Sequence, residues 1–184
     1  MRYRLLILLL LSFSLFSSGQ EKTLTAVKVS IPPDIDGSMN EEVWNLAPIA
    51  ADFVTHAPAY GKPASLKTEV RVLYDNSAVY IGAYLYENPW QIRWQLNLRD
   101  QEQGVDVDYF AVFLDTYKDK QNGYQFLVTA RNVQTDARIS PGMETAFTGE
   151  YGDLNWDAVW DSKVGIKTDG WVVEMKIPYS AIRF

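Results

Sequence analysis

The chain has 184 residues with 17 basic and 23 acidic side chains, which gives a net charge of −6 at neutral pH. This acidic balance argues against nucleic acid and anionic lipid as partners, because both require clustered Lys and Arg. The sequence has no Cys and a single His, which excludes a cysteine nucleophile and the Cys and His clusters of zinc sites. Six Trp and eleven Tyr suit a β-sandwich core and also a sugar-binding face.

The N-terminus has the features of a secretory signal peptide. Two arginines among the first four residues precede an apolar run that ends at Phe16, and small residues follow it before Gln20. The apolar run is shorter than the roughly 20 residues that cross a bilayer as a helix; an uncleaved membrane anchor is the alternative. We expect residues 1–19 to be removed, and residues 20–184 to be exported to the periplasm, outer membrane or cell surface as one domain.

β-Strand patterns dominate the rest of the chain and occur in pairs. In each pair, two stretches rich in Val, Ile, Tyr and Phe flank a short segment of Asp, Asn, Ser or Gly, which predicts a hairpin. Three hairpins are predicted in this way, within residues 70–86, 109–129 and 159–177. Alternation in the last strand places Trp171 in the core and Glu174 in solvent. The fold class expected is an all-β antiparallel sandwich, of the jelly-roll or immunoglobulin-like kind, with one short helix.

The short helix and one long loop interrupt the strands. Ser38 followed by Glu41 fits a capping box, Trp44 belongs to the apolar side of the helix, and Pro48 ends it. Residues 138–155, which contain several Gly and acidic residues, are predicted to form the longest loop.

A series of segments, in this order, resembles the family 9 carbohydrate-binding modules: residues 35–37, 42–44, 68–75, 79–82, 108–115, 123–126 and 170–178. The resemblance covers residues 27–184 and implies a jelly-roll-like sandwich that binds the end of a glucan or xylan chain, often with structural calcium. Residues 156–160 and 182–184 also resemble large bacterial proteins in which this module precedes a predicted outer-membrane barrel. A C-terminal region or barrel beyond Phe184 is therefore an expected partner, and the domain is expected to be truncated at its C-terminus.

The positions that bind sugar in the family carry different residues in this sequence. The resemblance places Val105 where one of two sugar-stacking Trp stands, Ala111 where an acidic residue stands and Leu127 where a basic residue stands. The second Trp falls beyond Phe184. The resemblance therefore implies the fold without implying the family's usual sugar site.

A different aromatic site is predicted around Trp90 and Trp94, which lie near Arg99, Asp100 and Asp106. Sugar rings stack on aromatic faces, while carboxylates and arginines bond the hydroxyl groups. The alternative is that one or both Trp pack beneath the loop, so their exposure separates the two interpretations. The other tryptophans stand in apolar patterns and are predicted to be core residues: Trp44, Trp156, Trp160 and Trp171.

A calcium site is predicted at one hairpin turn. Asp115, Asp119 and Asn122 supply the hard oxygen ligands that Ca²⁺ takes, although their spacing is not that of an EF-hand. Solvated turn residues are the alternative.

Three functions stay open at this point. The first is a non-catalytic module that binds a polysaccharide or oligosaccharide chain, linked to polysaccharide breakdown. The second is an accessory sandwich of an outer-membrane barrel with no sugar ligand. The third, a hydrolase, needs a pocket with paired carboxylates of perturbed pKa. No catalytic residue is predicted, because the sequence has no Gly-x-Ser-x-Gly elbow and offers no reason to choose one carboxylate pair.

Overall fold

The computed structural model describes residues 22–101, 105–141 and 152–184. This part of the chain contains two sheets, and none of its helices is long and apolar enough to cross a membrane. The strands are β1 (Val27–Lys28), β2 (Thr68–Tyr74), β3 (Ala78–Tyr86), β4 (Tyr109–Leu114), β5 (Gly123–Thr129), β6 (Gln134–Ile139), β7 (Asp161–Lys167) and β8 (Gly170–Pro178). Two 3₁₀ helices span Glu42–Leu46 and Tyr179–Ala181. The predicted signal peptide lies outside the described residues.

The predicted all-β sandwich is confirmed. The large sheet has the order β1-β2-β3-β8-β7 and the small sheet the order β4-β5-β6. The three predicted hairpins are β2–β3, β4–β5 and β7–β8, each antiparallel. One pairing departs from the prediction, because the short strand β1 runs parallel to β2.

Strand β6 (Gln134–Ile139) was not predicted, and the predicted long loop from Arg138 overlaps its end. The sequence of this strand is mostly polar, so it lacks the hydrophobic alternation that reveals a strand. It forms because β5 supplies a full antiparallel partner and because its buried Asp136 finds hydrogen-bond donors. The Asp136 carboxylate accepts bonds from the indole N–H of Trp160 and from Arg99, at 2.8 Å and 2.5 Å. Much of the remaining predicted loop lies outside the described residues.

The core between the two sheets contains the inner faces of β3, β5 and β8. Phe126 of β5 meets the rings of Trp156 and Trp160 edge-on, with centroids 6.0 Å and 5.2 Å apart. Trp160 and Trp171 are buried in this cluster and Trp156 packs against it, while Trp44 is buried in a second cluster. The core assignment of the four tryptophans is therefore confirmed.

The prediction that Glu174 faces solvent is wrong. Its side chain does lie on the outer face of the large sheet, but it is fully buried beneath the segment of residues 36–44. The Glu174 carboxylate accepts hydrogen bonds from the backbone N–H groups of Asp36, Gly37 and Met39, at 3.1, 2.6 and 3.1 Å. A fourth bond comes from the indole N–H of Trp44 at 3.2 Å. All four acceptor positions of the carboxylate are thus used.

The predicted capping box at Ser38 is also wrong. The helix that follows is a single 3₁₀ turn that begins at Glu42, and its N-cap residue Glu41 makes no side-chain capping bond. The Ser38 N–H donates to the Asp36 carboxylate at 2.7 Å instead, which closes a tight turn before the helix. The sequence pattern failed here because Asp36 takes the Ser38 N–H and Glu174, from a distant strand, binds the neighbouring N–H groups of Gly37 and Met39, so the chain turns before the helix begins.

The segment of residues 36–44, which we call the cover, lies over the large sheet only as far as Gly82, part of the way along β3. A Cβ atom on Gly82 would lie 2.7 Å from the terminal methyl group of Met39, which would have to shift, and 3.1 Å from the Trp44 ring, so glycine allows the cover to pack closely on β3. Beyond this point, Tyr84 and Tyr86 lie on the same outer face and are only half-buried. The large sheet therefore has one covered half and one open half on its outer face.

Replacing the buried carboxylate tests this account of the cover. The substitution Glu174→Gln puts an amide NH₂ against backbone N–H donors, so we expect the free energy of unfolding to fall by about 2–4 kcal/mol. Urea unfolding followed by tryptophan fluorescence measures the change. Lys176→Gln, on the same face of β8 but partly exposed, is the matched control and should cost less than about 0.5 kcal/mol. Equal effects of the two substitutions would contradict the assignment.

Candidate functional site

Trp90 stands almost fully in solvent on the loop that follows β3, with 93% of its surface exposed. The loop that presents it is fixed by Asn88. The Asn88 carbonyl accepts the Gln91 N–H at 2.8 Å, and its side-chain oxygen accepts the Trp90 N–H at 3.1 Å. The indole is therefore held on a defined turn while its ring stays uncovered.

The exposed indole lines a shallow groove of about 770 Å³. Tyr84 of β3, Ile166 and Lys167 at the end of β7, and Thr168 of the following turn also line the groove. Aromatic and apolar surface thus lies beside an amine and a hydroxyl group. This combination can stack against the C–H face of a sugar and bond its hydroxyl groups.

Tyr84 and Tyr86 form a stacked pair next to the groove, with ring centroids 4.5 Å apart and an interplanar angle of 29°. Their hydroxyl groups donate to Asp169 at 2.6 Å and to Glu69 at 3.2 Å. Burial, the bond to Asp169 and its charge together raise the pKa of Tyr84 to about 12. The Lys67 ammonium lies 4.6 Å from the centre of the Tyr86 ring. These contacts fix both rings in one orientation.

A pocket of about 380 Å³ lies on the other side of Tyr86. It opens between the sheets, and its lining includes Glu87, Arg93, Asp108 and Tyr109. Asp108 accepts the Arg93 backbone N–H at 2.7 Å and contacts the Arg93 guanidinium at 3.2 Å. Its carboxylate is therefore held by one neighbouring residue.

The Glu87 carboxylate differs from Asp108 in having no hydrogen-bond partner among the described residues. Burial raises the pKa of Glu87, the charge of Asp108 raises it further, and the charge of Arg93 opposes this. A half-buried carboxylate without a donor is an available acceptor for a ligand hydroxyl group.

Residues 35–184 match a protein-family model described as "Carbohydrate family 9 binding domain-like". The chain belongs to this family. The match confirms the resemblance seen in the sequence. No protein in a search of curated sequences matches the chain.

Two solved structures of family 9 modules from Caldicellulosiruptor kristjanssonii have a similar fold. One, in complex with cellotriose, has a TM-score of 0.56 at 19% identity, covering 84% of this chain and 67% of that one. The other, in complex with glucose, has a TM-score of 0.57 at 19% identity, covering 87% of this chain and 72% of that one. At this identity the likeness shows the shared fold.

Two family 9 positions noted in the sequence lie side by side in the small sheet. Ala111 of β4 and Leu127 of β5 are directly paired residues. Leu127 is fully buried, and neither side chain has a group that could bond a sugar hydroxyl. A sugar site in this family 9 domain must therefore be built from other residues.

Trp94, the second predicted sugar residue, is 45% exposed. The Arg131 guanidinium lies 5.1 Å from its ring centre, and the Arg131 side chain donates to the Trp94 carbonyl at 3.1 Å. Asp106, another predicted residue, pairs with Arg93 at 3.3 Å. Both tryptophans are thus outside the core, although a cation already covers part of the Trp94 ring.

Arg99 and Asp100 are bonded to Asp136 of β6 and not to the two exposed tryptophans. Arg99 contacts Asp136 at 2.5 Å, Asp157 at 2.8 Å and Asp100 at 3.5 Å. The Asp136 N–H donates to Asp100 at 3.3 Å. Asp136 is buried in β6, so the Arg99 guanidinium offsets its charge. The same contacts hold the loop that carries Arg99 and Asp100 against β6. The five predicted sugar residues therefore lie in four separate surroundings: Trp90 in its groove, Trp94 beside Arg131, Asp106 beside Arg93, and Arg99 and Asp100 beside Asp136.

Several residues of the aromatic surface were missed in the sequence: Tyr84, Tyr86, Glu87, Arg93 and Lys167. The period of two in β3 was enough to place Tyr84 and Tyr86 on one face. It could not reveal that the cover stops at Gly82 and leaves these two rings open.

The predicted calcium residues do meet at one turn, but they hydrogen-bond to one another and to the turn. Asp115 accepts the N–H groups of Asp119 and Lys120 at 3.2 and 2.9 Å. Asp119 accepts the N–H groups of Gln121 and Asn122 and the Asn122 side-chain amide, at 2.8, 2.7 and 2.6 Å. These oxygens are already occupied by donors, which fits a solvated turn better than a metal site.

A second acidic cluster differs from the turn in having one carboxylate oxygen that no donor occupies. Asp36, Glu41 and Glu174 each place a carboxylate oxygen within 4.8 Å of the others. Oε2 of Glu41 is buried and has no hydrogen-bond partner. Burial raises the pKa of Glu174, and the charges of Glu41 and Asp36 add to this against the N–H donors of the turn. A divalent cation would offset this accumulation of negative charge.

Proposed function

We propose that this family 9 domain is a non-catalytic module that binds carbohydrate through Trp90, Tyr84 and Tyr86. The observation that carries the proposal is the 93% exposure of an indole ring on a hydrogen-bonded turn. Leaving such a large apolar side chain in water forfeits about 1.5–3 kcal/mol of burial energy. A ligand that covers the ring would recover this energy.

The groups around the ring favour a neutral sugar chain. Lys167 and Thr168 line the groove beside Trp90, and the hydroxyl groups of the two tyrosines are engaged by carboxylates. The net charge of −6 opposes an anionic polysaccharide. The C. kristjanssonii modules, whose structures contain cellotriose and glucose, support a glucan oligosaccharide as the first ligand to test.

The pocket beside Tyr86 gives weak support to catalysis. It contains Glu87 and Asp108, which is the kind of carboxylate pair that glycosidases use. Asp108 is committed to Arg93 through its backbone N–H and its guanidinium, so it is not free to act as nucleophile or base. A binding role therefore accounts for the pocket better than hydrolysis.

The cellular setting is also part of the proposal. The signal-peptide pattern at residues 1–19 supports export. The likeness to modules that precede outer-membrane barrels supports a place at the cell envelope, where a polysaccharide ligand would be met.

Fluorescence titration tests the proposed function. Cello- and xylo-oligosaccharides added to the protein without residues 1–19 should give a saturable change in tryptophan fluorescence. Trp90→Ala should weaken binding at least tenfold, which corresponds to about 1.4 kcal/mol, because it removes the stacking surface. Trp94→Ala is the matched control and should change the dissociation constant less than about threefold, because Arg131 already covers part of its ring.

Unchanged fluorescence and melting temperature in a folded sample would refute sugar binding. If the protein has the near-ultraviolet circular dichroism of a packed core and no oligosaccharide changes its fluorescence or its melting temperature, the domain does not bind these sugars.

We also propose that calcium, where it binds this domain, is held by Asp36 and Glu41 next to the buried Glu174. Asp36 and Glu41 would supply ligand oxygens, and Glu174 would add negative charge beneath them. The ion would supply charge neutralisation and would lock the segment that covers the large sheet. The partnerless oxygen of Glu41 is the observation that favours this place over the turn at Asp119.

Thermal unfolding with and without calcium tests this placement. Millimolar Ca²⁺ should raise the melting temperature by about 4 °C or more relative to EDTA, since a ligand that binds only the native state stabilises it. Glu41→Gln should abolish the increase and Asp119→Asn should leave it unchanged. If Asp119→Asn abolished the increase and Glu41→Gln did not, the ion would bind at the turn that contains Asp119. If calcium raised the melting temperature of no form of the protein, calcium binding would be refuted.

A further inference from the structure

The Trp90 groove and the Glu87 pocket are joined by the tyrosine pair. Tyr84 lines the groove, Tyr86 lines the pocket, and their ring centroids are 4.5 Å apart. Glu87 and Asn88 are consecutive residues that line the pocket and the groove, respectively. The two cavities therefore lie close together at the end of β3.

We infer that the groove and the pocket form one elongated site, which binds an internal stretch of several sugar units in a neutral polysaccharide. This inference rests on the proposed function and specifies the class of ligand, which is an internal segment of a neutral sugar chain. It predicts that affinity depends on the length of the chain and that a free chain end is not required.

The openness of the groove supports an internal stretch. The Trp90 ring is 93% exposed, so no second ring among the described residues closes over it as a clamp for a terminal sugar would. The groove and the pocket, at about 770 and 380 Å³, each fall in the range of sites that hold a whole small molecule. A single sugar unit would leave most of this surface uncovered.

The polar groups at the pocket end support a neutral ligand held by hydroxyl bonds. The Glu87 carboxylate has no hydrogen-bond donor in the described parts of the chain. Burial and the nearby charge of Asp108 raise its pKa. Glu87 can accept bonds from sugar hydroxyl groups, and the ion pair of Arg93 and Asp108 adds no net charge beside it. Lys67, beside the Tyr86 ring, pairs with Glu69 at 2.6 Å and keeps further N–H donors on its ammonium group.

Calorimetric titration with cello- and xylo-oligosaccharides of two to six units, using the chain from residue 20, tests the inference. We expect the dissociation constant to fall at least tenfold from the disaccharide to the hexasaccharide. Glu87→Gln should remove most of this gain for the hexasaccharide and leave the disaccharide within about twofold. Trp90→Ala should weaken both. Glu42→Gln, an exposed glutamate on the 3₁₀ turn, is the matched control and should change neither.

Reduction of the terminal sugar to an open-chain alditol supplies the second measurement. The reduced hexasaccharide should bind within about twofold of the native one, because an internal stretch fills the site. Equal affinity for all lengths, loss of binding on reduction, or an unchanged hexasaccharide affinity in Glu87→Gln would overturn the inference while leaving sugar binding intact. Absence of binding at every length would overturn the proposed function itself.

Discussion

The carboxylate of Glu174 organises the outer face of the large sheet. Three backbone N–H groups and the Trp44 indole converge on it from a segment that lies 130 or more residues earlier in the chain. A buried carboxylate without those donors would cost several kcal/mol, so the strand and the segment can only be stable together. Because Gly82 leaves room for the Trp44 ring, the cover packs directly on β3.

The limit of that cover leaves open the surface at which we propose that the domain binds its ligand. Trp44 and Met39 reach Gly82, and the next outward-facing residues, Tyr84 and Tyr86, are left beside the Trp90 loop. Carboxylates fix the two tyrosine hydroxyl groups, so the open half of the sheet is rigid as well as aromatic. A rigid aromatic surface loses little conformational entropy on binding, which suits recognition of a flexible sugar chain.

The features that the sequence predicts correctly are those that depend on near neighbours. The hairpins follow from alternation and turn residues, and Trp171 was correctly placed in the core for the same reason. Glu174 was misplaced because its cover comes from a distant segment. Arg99 resembled a sugar ligand in the sequence, yet its partners Asp136 and Asp157 lie 37 and 58 residues away and use its donors for the fold. Trp90 and Trp94 were singled out because they stand near charged loop residues in the sequence, and both rings lie outside the core.

Nuclear magnetic resonance of the tryptophan indole N–H groups would test the central claim most directly. With ¹⁵N-labelled protein and a cello-oligosaccharide of six units, the account predicts a saturable shift of the Trp90 indole resonance. The indoles of Trp44 and Trp160, which are bonded to Glu174 and Asp136 inside the fold, should stay unchanged. An unmoved Trp90 resonance, with shifts confined to Trp94 or absent altogether, would show that the exposed ring on the open half of the sheet is not the sugar-binding surface.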